Sequence, residues 1–423
     1  MSISSKLLNF SKKLVLPLGG SLLVCNSQAS YAFSTAAHPA SVVSSASPPR
    51  REFAHLRTAS GYAPKRKLRV GVLGATGAVG QRFIEGLQDH PWFTVTRLGA
   101  SSRSAGKTYG AAATWGISPD VPAYVKDAKV VSCNVSEFSH DVDFVFSALD
   151  ADVAGDVEKE FRDAGIPVFS NARNYRMHPD VPLVVPPVNG DHLDMVKTQP
   201  SFAKNGGFIV TNANCSTTGM VIALKPLEEA FGIERVFCTT LQAISGAGYP
   251  GLPSLDILDN VVPFISGEED KLETEYAKIM GKFDASRPAP VVPASFPLSA
   301  MVNRVHVRDG HSIALSIKLK KEASPEEIAK VLESYIPSGD VSTLPSSPDR
   351  FILVRTENNR PQPRLDRDAG RGFSTTVGRV RKDPINTVKM FVLSHNTVMG
   401  AAGSSILNAE LAASKGLLRH RNE

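Results

Sequence analysis

One cysteine of this 423-residue chain occupies a position where a thiol could act as a nucleophile. Cys215 follows an apolar segment, residues 207–210, and opens a run of small and polar residues, 216–221, that continues as a predicted helix to Phe231. A thiol at a helix N-terminus is stabilised as the thiolate by free backbone N–H groups and by the helix dipole. The sequence therefore predicts Cys215 as a nucleophile for covalent catalysis, reactive near neutral pH.

The other cysteines, Cys25, Cys133 and Cys238, are far apart, and the chain contains no C-x-x-C pair. Zinc sites and disulfide frameworks have closely spaced or paired cysteines. We therefore expect no metal site and no disulfide framework, and a protein that works in a reducing compartment.

A glycine-rich loop at the start of the folded body indicates a dinucleotide site. Gly74, Gly77 and Gly80 have G-x-x-G-x-x-G spacing between a predicted strand and a predicted helix. Glycines there let the backbone approach a pyrophosphate, which the helix N-terminus attracts. We expect the whole loop to bind the cofactor: Gly74, Ala75, Thr76, Gly77, Ala78, Val79 and Gly80.

The segment after the second predicted strand favours NADP(H) over NAD(H). An acidic residue usually binds the ribose 2′-hydroxyl there, but this chain has Ser102, Arg103 and Ser104. Hydroxyls and a guanidinium suit a 2′-phosphate. The same loop opens short-chain reductases, but those need Tyr-x-x-x-Lys, and none of the eight tyrosines has a lysine four positions later.

The order of predicted elements indicates an α/β protein. Strand candidates at 67–73, 94–98, 142–148, 166–169 and 208–210 alternate with helix-length segments, which predicts a doubly wound Rossmann domain. Later strand candidates at 236–243, 304–307, 312–319 and 389–393 have no regular helix between each pair, which predicts an α+β domain with a mixed sheet. Residues 342–383 are expected to form a long excursion from that second domain, and residues 400–418 a closing helix.

Charge and hydropathy narrow the classes of function. Most of the net charge of +6 lies in residues 1–60, which hold six basic side chains and one acidic one, so a nucleic-acid partner is not expected. The chain has no apolar run long enough to span a membrane. The Ser/Ala-rich segment 1–65 predicts a targeting presequence for a plastid, with a mitochondrial or cytosolic location as alternatives.

Five motifs occur in a fixed order: GATGAVG from Gly74, NCSTTG from Asn214, QAISGAGYPG from Gln242, GEEDKLETE from Gly267 and RVHVRDGH from Arg304. Together they resemble the archaeal and fungal branch of the aspartate-semialdehyde dehydrogenase family, from Lys67 to about Lys415. The resemblance implies NADPH-dependent reduction of L-aspartyl 4-phosphate to L-aspartate 4-semialdehyde through a Cys215 thioester, with release of phosphate. The product would feed synthesis of lysine, threonine and methionine.

The resemblance also assigns roles to individual side chains. His311 would be the acid–base residue that removes the thiol proton, and Gln242 would orient the substrate. The expected substrate-binding residues are Arg304 for the α-carboxylate, Glu268 for the amino group, Lys271 and Arg176 for phosphate, and Asn214. Ser245, Gly246 and Asn396 would lie near the cofactor. The backbone N–H groups of Asn214 and Cys215 are expected to stabilise an oxyanion.

The resemblance further implies residues 66–212 plus 397–423 as the NADP-binding domain and 213–396 as a catalytic and dimerisation domain, assembled into a homodimer or homotetramer. A malonyl-CoA reductase on the same scaffold remains an alternative, and N-acetylglutamyl-phosphate reductase is a more distant one. A catalytically silent dinucleotide-binding regulator is disfavoured, because the chain holds Cys215, Gln242, Arg304 and His311 together.

Overall fold

Six parallel strands form the first sheet of the computed structural model, which describes residues 62–118, 120–287 and 289–421. Their order across the sheet is β3-β2-β1-β4-β5-β6. The bounds are Leu68–Leu73 (β1), Phe93–Ala100 (β2), Val130–Ser132 (β3), Phe144–Ser147 (β4), Val168–Ser170 (β5) and Ile209–Thr211 (β6). Most of the predicted presequence, and every residue of it before 62, lies outside the described residues.

Buried apolar runs explain why these segments form a parallel sheet. The strands β4, β5 and β6 are buried along their whole length, as strands covered on both faces are. Helix α1 (Ala78–Leu87) covers the sheet, and its Phe83 ring stacks on Phe146 at 4.5 Å between centroids. Helix α2 (Ala151–Asp163) follows β4. The doubly wound prediction is confirmed.

The second sheet has seven strands in the order β13-β14-β15-β12-β7-β11-β8. Strand β7 pairs in parallel with β11 and antiparallel with β12, so the sheet is mixed, as predicted. The bounds are Ile233–Gln242 (β7), Val261–Val262 (β8), Leu298–Val305 (β11), His311–Leu319 (β12), Ile352–Arg355 (β13), Thr375–Lys382 (β14) and Val388–Ser394 (β15). A separate hairpin pairs Lys282–Phe283 (β9) with Val291–Val292 (β10).

Segment 342–383 corrects one expectation, because it is not an excursion from the second domain. Strands β13 and β14 lie within it, and β14 pairs with β15 inside the mixed sheet. Thr375, Thr376 and Val377 are almost fully buried. Their β-branched pattern was masked by the prolines and charges around it.

Four further α-helices of nine or more residues lie in the described part of the chain: Cys215–Phe231 (α3), Glu268–Ile279 (α4), Pro325–Glu333 (α5) and Gly403–Ser414 (α6). A π-helical turn, Val398–Ala402, precedes α6. Helix α6 is almost entirely buried, and its Glu410 accepts a hydrogen bond from His90, which lies just before β2. The domain limits themselves stay a prediction.

Within the described ranges, no helix combines the length and the apolar character that crossing a bilayer requires.

Candidate active site

Cys215 is the first residue of helix α3 and follows strand β6 across a short turn. Asn214 caps this helix: its Oδ1 accepts hydrogen bonds from the N–H groups of Ser216 at 2.9 Å and Thr217 at 3.2 Å. Such a side chain satisfies helix N–H groups that otherwise lack partners. The cap therefore fixes the backbone direction from which the Cys215 side chain leaves.

The π-helical turn before α6 packs directly on the nucleophile. A Cβ atom added at Gly400 would lie 2.8 Å from the Cys215 Cβ. Real Cβ contacts are essentially never that short. Glycine is therefore needed at position 400 for the turn to approach Cys215.

His311 opens strand β12 and is the hydrogen-bond partner of the nucleophile. Its Nε2 lies 3.1 Å from the Cys215 Sγ, and its Nδ1 accepts the N–H of Ala243 at 3.0 Å. An Nδ1 that accepts a hydrogen bond places the proton of the neutral ring on Nε2. His311 therefore directs an N–H at the sulfur.

Burial decides the charge state of this pair. It raises the pKa of the Cys215 thiol to about 12, with a further contribution from Glu268. It also lowers the pKa of His311 well below its usual value, with Arg304 acting in the same direction. Both shifts favour the uncharged forms, a thiol and a neutral imidazole, which runs against the expected thiolate; the reactivity of Cys215 near neutral pH stays a prediction.

The expected removal of the thiol proton by His311 stays a prediction, and the resting hydrogen bonds favour a different first role. If Nε2 took up the thiol proton, the His311 ring would carry protons on both nitrogens. The Nδ1–H would then point at the Ala243 N–H, which is also a donor. The resting geometry instead suits His311 as a donor to negative charge that develops on sulfur or on a substrate oxygen.

The pKa directions predict how fast an alkylating agent modifies Cys215. Because the thiol pKa is raised to about 12, the thiolate fraction grows about tenfold for each pH unit below that value. We follow the reaction of Cys215 with iodoacetamide by mass spectrometry of the Cys215 peptide. We expect a plot of the logarithm of the alkylation rate against pH to have a slope of about one between about pH 6 and 9. A plateau that begins near pH 7 would show a thiolate instead.

Two strands bring the expected carboxylate-binding group beside this pair. Arg304 on β11 is in register with Gln242 on β7, and both side chains are buried. The Arg304 Nη1 donates to the carbonyl of Ala243 at 2.8 Å. Arg304 and His311 therefore share Ala243 as a backbone partner, which fixes the guanidinium beside the imidazole.

Helix α4 places a second group of expected residues at the cap of α3. Glu268 is buried and accepts a hydrogen bond from the Asn214 side chain through Oε1. Its Oε2 pairs with the Lys271 ammonium at 3.0 Å. The expected amine-binding carboxylate and one expected phosphate cation thus lie together next to the nucleophile.

Arg176, the other expected phosphate cation, is paired with a carboxylate that sequence reasoning missed. Its Nη1 lies 2.9 Å from the Glu275 Oε1, and its Nη2 donates to the carbonyl of Asn171. The Glu275 Oε2 accepts the backbone N–H of Asn214 at 2.6 Å. That N–H is therefore engaged, and the expectation that Asn214 N–H would stabilise an oxyanion is not supported.

The glycine loop has the backbone that a dinucleotide requires. Gly74 has φ +75°, and a Cβ there would lie 2.6 Å from the carbonyl oxygen of Ala148. A Cβ at Gly80 would meet the Gly74 carbonyl at 2.2 Å. Gly77 is the residue before helix α1, so the loop presents helix N–H groups at the carboxyl end of β1. These residues fit a pyrophosphate.

The remaining expected cofactor residues lie on two sides of the site. Ser102 and Arg103 are exposed and Ser104 partly exposed, just after β2. Asn396 donates to the Ser245 Oγ at 2.8 Å and accepts the Gly310 N–H at 2.8 Å. A Cβ at Gly246 would approach both Arg304 and His311, so the structure places Gly246 at the catalytic pair.

A cavity of about 240 Å³ lies between helix α1 and the segments that carry Ser245 and Arg308. Ala78 and Arg82 of helix α1 line it, together with Ser245, Arg308 and Thr397. Arg82 donates to the Thr397 hydroxyl at 3.0 Å, and Arg308 donates to the Gly116 carbonyl at 2.7 Å. The cavity therefore runs from the glycine loop toward the segment that carries His311.

In the part of the chain that the structure describes, no group of three or more His, Cys, Asp or Glu side chains is arranged to hold a metal ion. Cys133, Cys215 and Cys238 are free thiols there.

Two family models match the chain in succession. The model described as semialdehyde dehydrogenase, NAD binding domain, matches residues 69–196. The model described as semialdehyde dehydrogenase, dimerisation domain, matches residues 224–399. The first match contains the glycine loop, and the second contains the segment that carries His311.

Individual proteins agree with these models over most of the chain. An aspartate-semialdehyde dehydrogenase of Archaeoglobus fulgidus is 51% identical over 342 residues, 81% of this chain and 97% of that protein. The one of Schizosaccharomyces pombe is 49% identical over 355 residues, 83% and 99% of the two chains. A crystal structure of aspartate semialdehyde dehydrogenase with NADP from Candida albicans has a TM-score of 0.76 and 47% identity, covering 83% of this chain and 100% of that one. This chain belongs to the aspartate-semialdehyde dehydrogenase family.

Proposed function

We propose that this protein catalyses the NADPH-dependent reduction of L-aspartyl 4-phosphate to L-aspartate 4-semialdehyde, with release of phosphate. The observation that carries the proposal is the Cys215–His311 pair, with Sγ and Nε2 3.1 Å apart. Arg304 shares the Ala243 backbone with His311, and Glu268 is hydrogen-bonded to Asn214, the residue before Cys215. A guanidinium and a carboxylate near a thiol suit an amino acid whose side-chain carbonyl reacts. Family membership supports the same substrate.

The first half of the reaction forms the thioester. The Cys215 sulfur attacks the acyl carbon, and the C–O bond to phosphate breaks. The proton lost by the thiol passes through solvent to the phosphate that leaves. The Nε2–H of His311 stabilises negative charge on the sulfur as the S–H bond breaks. Arg304 binds the α-carboxylate, and Glu268 binds the amino group.

The second half reduces the thioester. NADPH, when bound, supplies the hydride that adds to the acyl carbon. His311 donates a hydrogen bond from Nε2 to the oxyanion of the resulting thiohemiacetal. The oxyanion forms the C=O bond of the aldehyde as the C–S bond breaks, and the leaving sulfur takes up one proton from solvent to restore the thiol. The glycine loop from Gly74 to Gly80 would hold the pyrophosphate, and Ser102, Arg103 and Ser104 would bind the 2′-phosphate.

Steady-state kinetics test the substrate. NADPH oxidation is followed at equal concentrations of L-aspartyl 4-phosphate, malonyl-CoA and N-acetylglutamyl phosphate. We expect turnover with aspartyl phosphate to exceed that with either other donor by at least about a hundredfold, because neither of them carries the free ammonium group that Glu268 would bind. Preferred turnover of malonyl-CoA would contradict the proposal.

The outward face of the mixed sheet supports a homodimer as the assembled form. Phe237 on β7 is 51% exposed and Met301 on the neighbouring β11 is 60% exposed, while helix α3 packs on the other face. The match to a family dimerisation domain includes both strands. Exposed apolar side chains on a sheet face are typical of a subunit interface.

An acidic substitution on this face should weaken the dimer. We expect Phe237→Asp to raise the dimer dissociation constant at least about a hundredfold, because a carboxylate would be buried without a partner. Analytical ultracentrifugation of wild-type and variant proteins measures the change. Ile385→Asp is the matched control, since Ile385 is 83% exposed in the turn after β14. This substitution should leave the dimer dissociation constant unchanged. A dimeric Phe237→Asp protein would exclude this face.

The location and pathway complete the proposal. The basic, Ser/Ala-rich segment 1–65 supports import into a plastid, where the semialdehyde would serve synthesis of lysine, threonine and methionine. Fluorescence microscopy of residues 1–65 fused to a fluorescent protein tests the destination, and a diffuse cytosolic signal would contradict it.

A further inference from the structure

The Glu275 carboxylate binds two parts of the active site at once. Its Oε1 lies 2.9 Å from the Arg176 Nη1, and its Oε2 accepts the backbone N–H of Asn214 at 2.6 Å. The side chain is 2% exposed. One buried carboxylate thus joins the expected phosphate cation to the residue that precedes the nucleophile.

Asn214 transmits any movement at Glu275 to the nucleophile. Its side chain caps helix α3 through Ser216 and Thr217, and its peptide continues directly into Cys215. Loss of the Glu275 bond would leave the Asn214 N–H buried without a partner, which is costly enough to shift a backbone segment. The orientation of the Cys215 side chain therefore depends on Glu275.

Helix α4 also holds the backbone of the Arg176 segment. Lys278 lies one turn after Glu275, and its ammonium donates to the carbonyls of Arg176, His178 and Val181 at 2.8, 2.8 and 2.7 Å. Glu268, Lys271, Glu275 and Lys278 are spaced three, four and three residues apart, so they share one helix face. This face sets the distance between Arg176 and the α3 cap.

Charge makes the link responsive to phosphate. Glu275 compensates the charge of Arg176, as Glu268 compensates that of Lys271. A phosphate dianion at Arg176 competes with Glu275 for the guanidinium, since both are acceptors for the same N–H donors. The carboxylate that would be released from Arg176 is the one that holds Asn214.

We propose that Glu275 is a positioning residue that couples phosphate occupancy at Arg176 to the orientation and reactivity of Cys215. It touches neither substrate nor cofactor and acts through Arg176 and Asn214. The proposal rests on the proposed function in one respect, the assignment of Arg176 to phosphate.

Glu275→Gln tests the coupling, because Arg176 and the Asn214 N–H bind different carboxylate oxygens. In the variant, one of these two donors faces the amide NH₂, which is itself a donor. We expect kcat to fall at least about tenfold. The rate of Cys215 alkylation by iodoacetamide at pH 8 should rise about three- to tenfold, because a negative charge is removed and Arg176 is freed to favour the thiolate. In the reverse reaction, the KM for inorganic phosphate should fall at least about threefold, because Arg176 loses its competing carboxylate.

A merely structural residue would not give this combination of slower turnover, faster alkylation and a lower phosphate KM. Glu273→Gln is the matched control on the same helix, since Glu273 is exposed and should leave all three values within about twofold of wild type. Thermal unfolding and NADPH binding check that each variant is folded. If Glu275→Gln does not fold, Glu275→Asp replaces it, because its shorter side chain keeps the charge and reaches only one donor; kcat should again fall at least about tenfold.

Two results would overturn the coupling. The first is a wild-type kcat together with a wild-type alkylation rate in Glu275→Gln, or in Glu275→Asp where that variant replaces it. The second is a fall in both kcat and the alkylation rate in a folded Glu275→Gln protein. Alkylation needs no substrate, so it reports on the link between Glu275 and Cys215 even if aspartyl phosphate is not the substrate. Failure of the proposed function alone would abolish the turnover assay and leave the alkylation difference in place.

Discussion

Replacing Cys215 by serine should lower kcat by at least about 10⁴-fold while NADPH binding stays within about twofold of wild type. The serine hydroxyl is almost the same size, so the contact with Gly400 and the cap by Asn214 persist. An alcohol is a far weaker nucleophile than a thiol at the same position, and its acyl ester is a poorer hydride acceptor than a thioester. Initial rates and fluorescence titration with NADPH give the two values.

Cys238→Ala is the matched control for this change. Cys238 is another free thiol, but it is buried in the middle of β7, away from His311 and Arg304. We expect a kcat within about twofold and a somewhat lower melting temperature, because a small cavity is created. Residual activity above about one per cent in Cys215→Ser would contradict the assigned nucleophile.

Replacing His311 by asparagine should lower kcat by about 10²- to 10⁴-fold, because the Nε2–H donor 3.1 Å from the sulfur is lost and the shorter amide does not reach it. The same variant should alkylate at Cys215 more slowly, since the thiolate loses its hydrogen-bond donor. Both rates are measured on the same preparation.

The neighbouring histidine provides the comparison. His306 follows strand β11 and is exposed, and His306→Asn should leave kcat and the alkylation rate within about twofold of wild type. If His311→Asn kept kcat within about threefold, the Cys215–His311 contact would have no catalytic role.

Much of the fold was predictable because its main elements have strong local signals. The loop from Gly74 to Gly80 lies between a buried strand and an amphipathic helix, and the structure has both at the predicted places. Strand β3 was not predicted, since three residues, Val130–Ser132, carry too little periodicity. Strand β11 begins at Leu298, six residues before its predicted start at 304. The first part of the strand was missed because polar and exposed residues such as Ser299 interrupt its apolar pattern.

The site was predictable only as far as residue types and motifs could show it. The backbone N–H of Ala243, which sets the proton position on His311, carries no signal in the sequence. Arg176 and Glu275 are 99 residues apart, so their pairing depends on the fold. The available signal for Glu275 was its spacing on one face of α4 with Glu268 and Lys271.

Two opposing effects act on the charge of Cys215. The helix N-terminus favours a thiolate, but this effect is modest at a single turn. Burial of the thiol between α3 and His311 disfavours the charge more strongly and raises the pKa to about 12. Burial depends on the packing of β12 and the π-helical turn, which lie about 100 and 180 residues farther along the chain.

The central claim is that Cys215 carries the acyl group of an amino acid. The protein is mixed with L-aspartyl 4-phosphate without NADPH, quenched in acid, digested and analysed by mass spectrometry. We expect an aspartyl thioester on the peptide that contains Cys215, and we expect it to disappear when NADPH is added before the quench. An acyl group on another residue, or no adduct under conditions that support turnover, would contradict it.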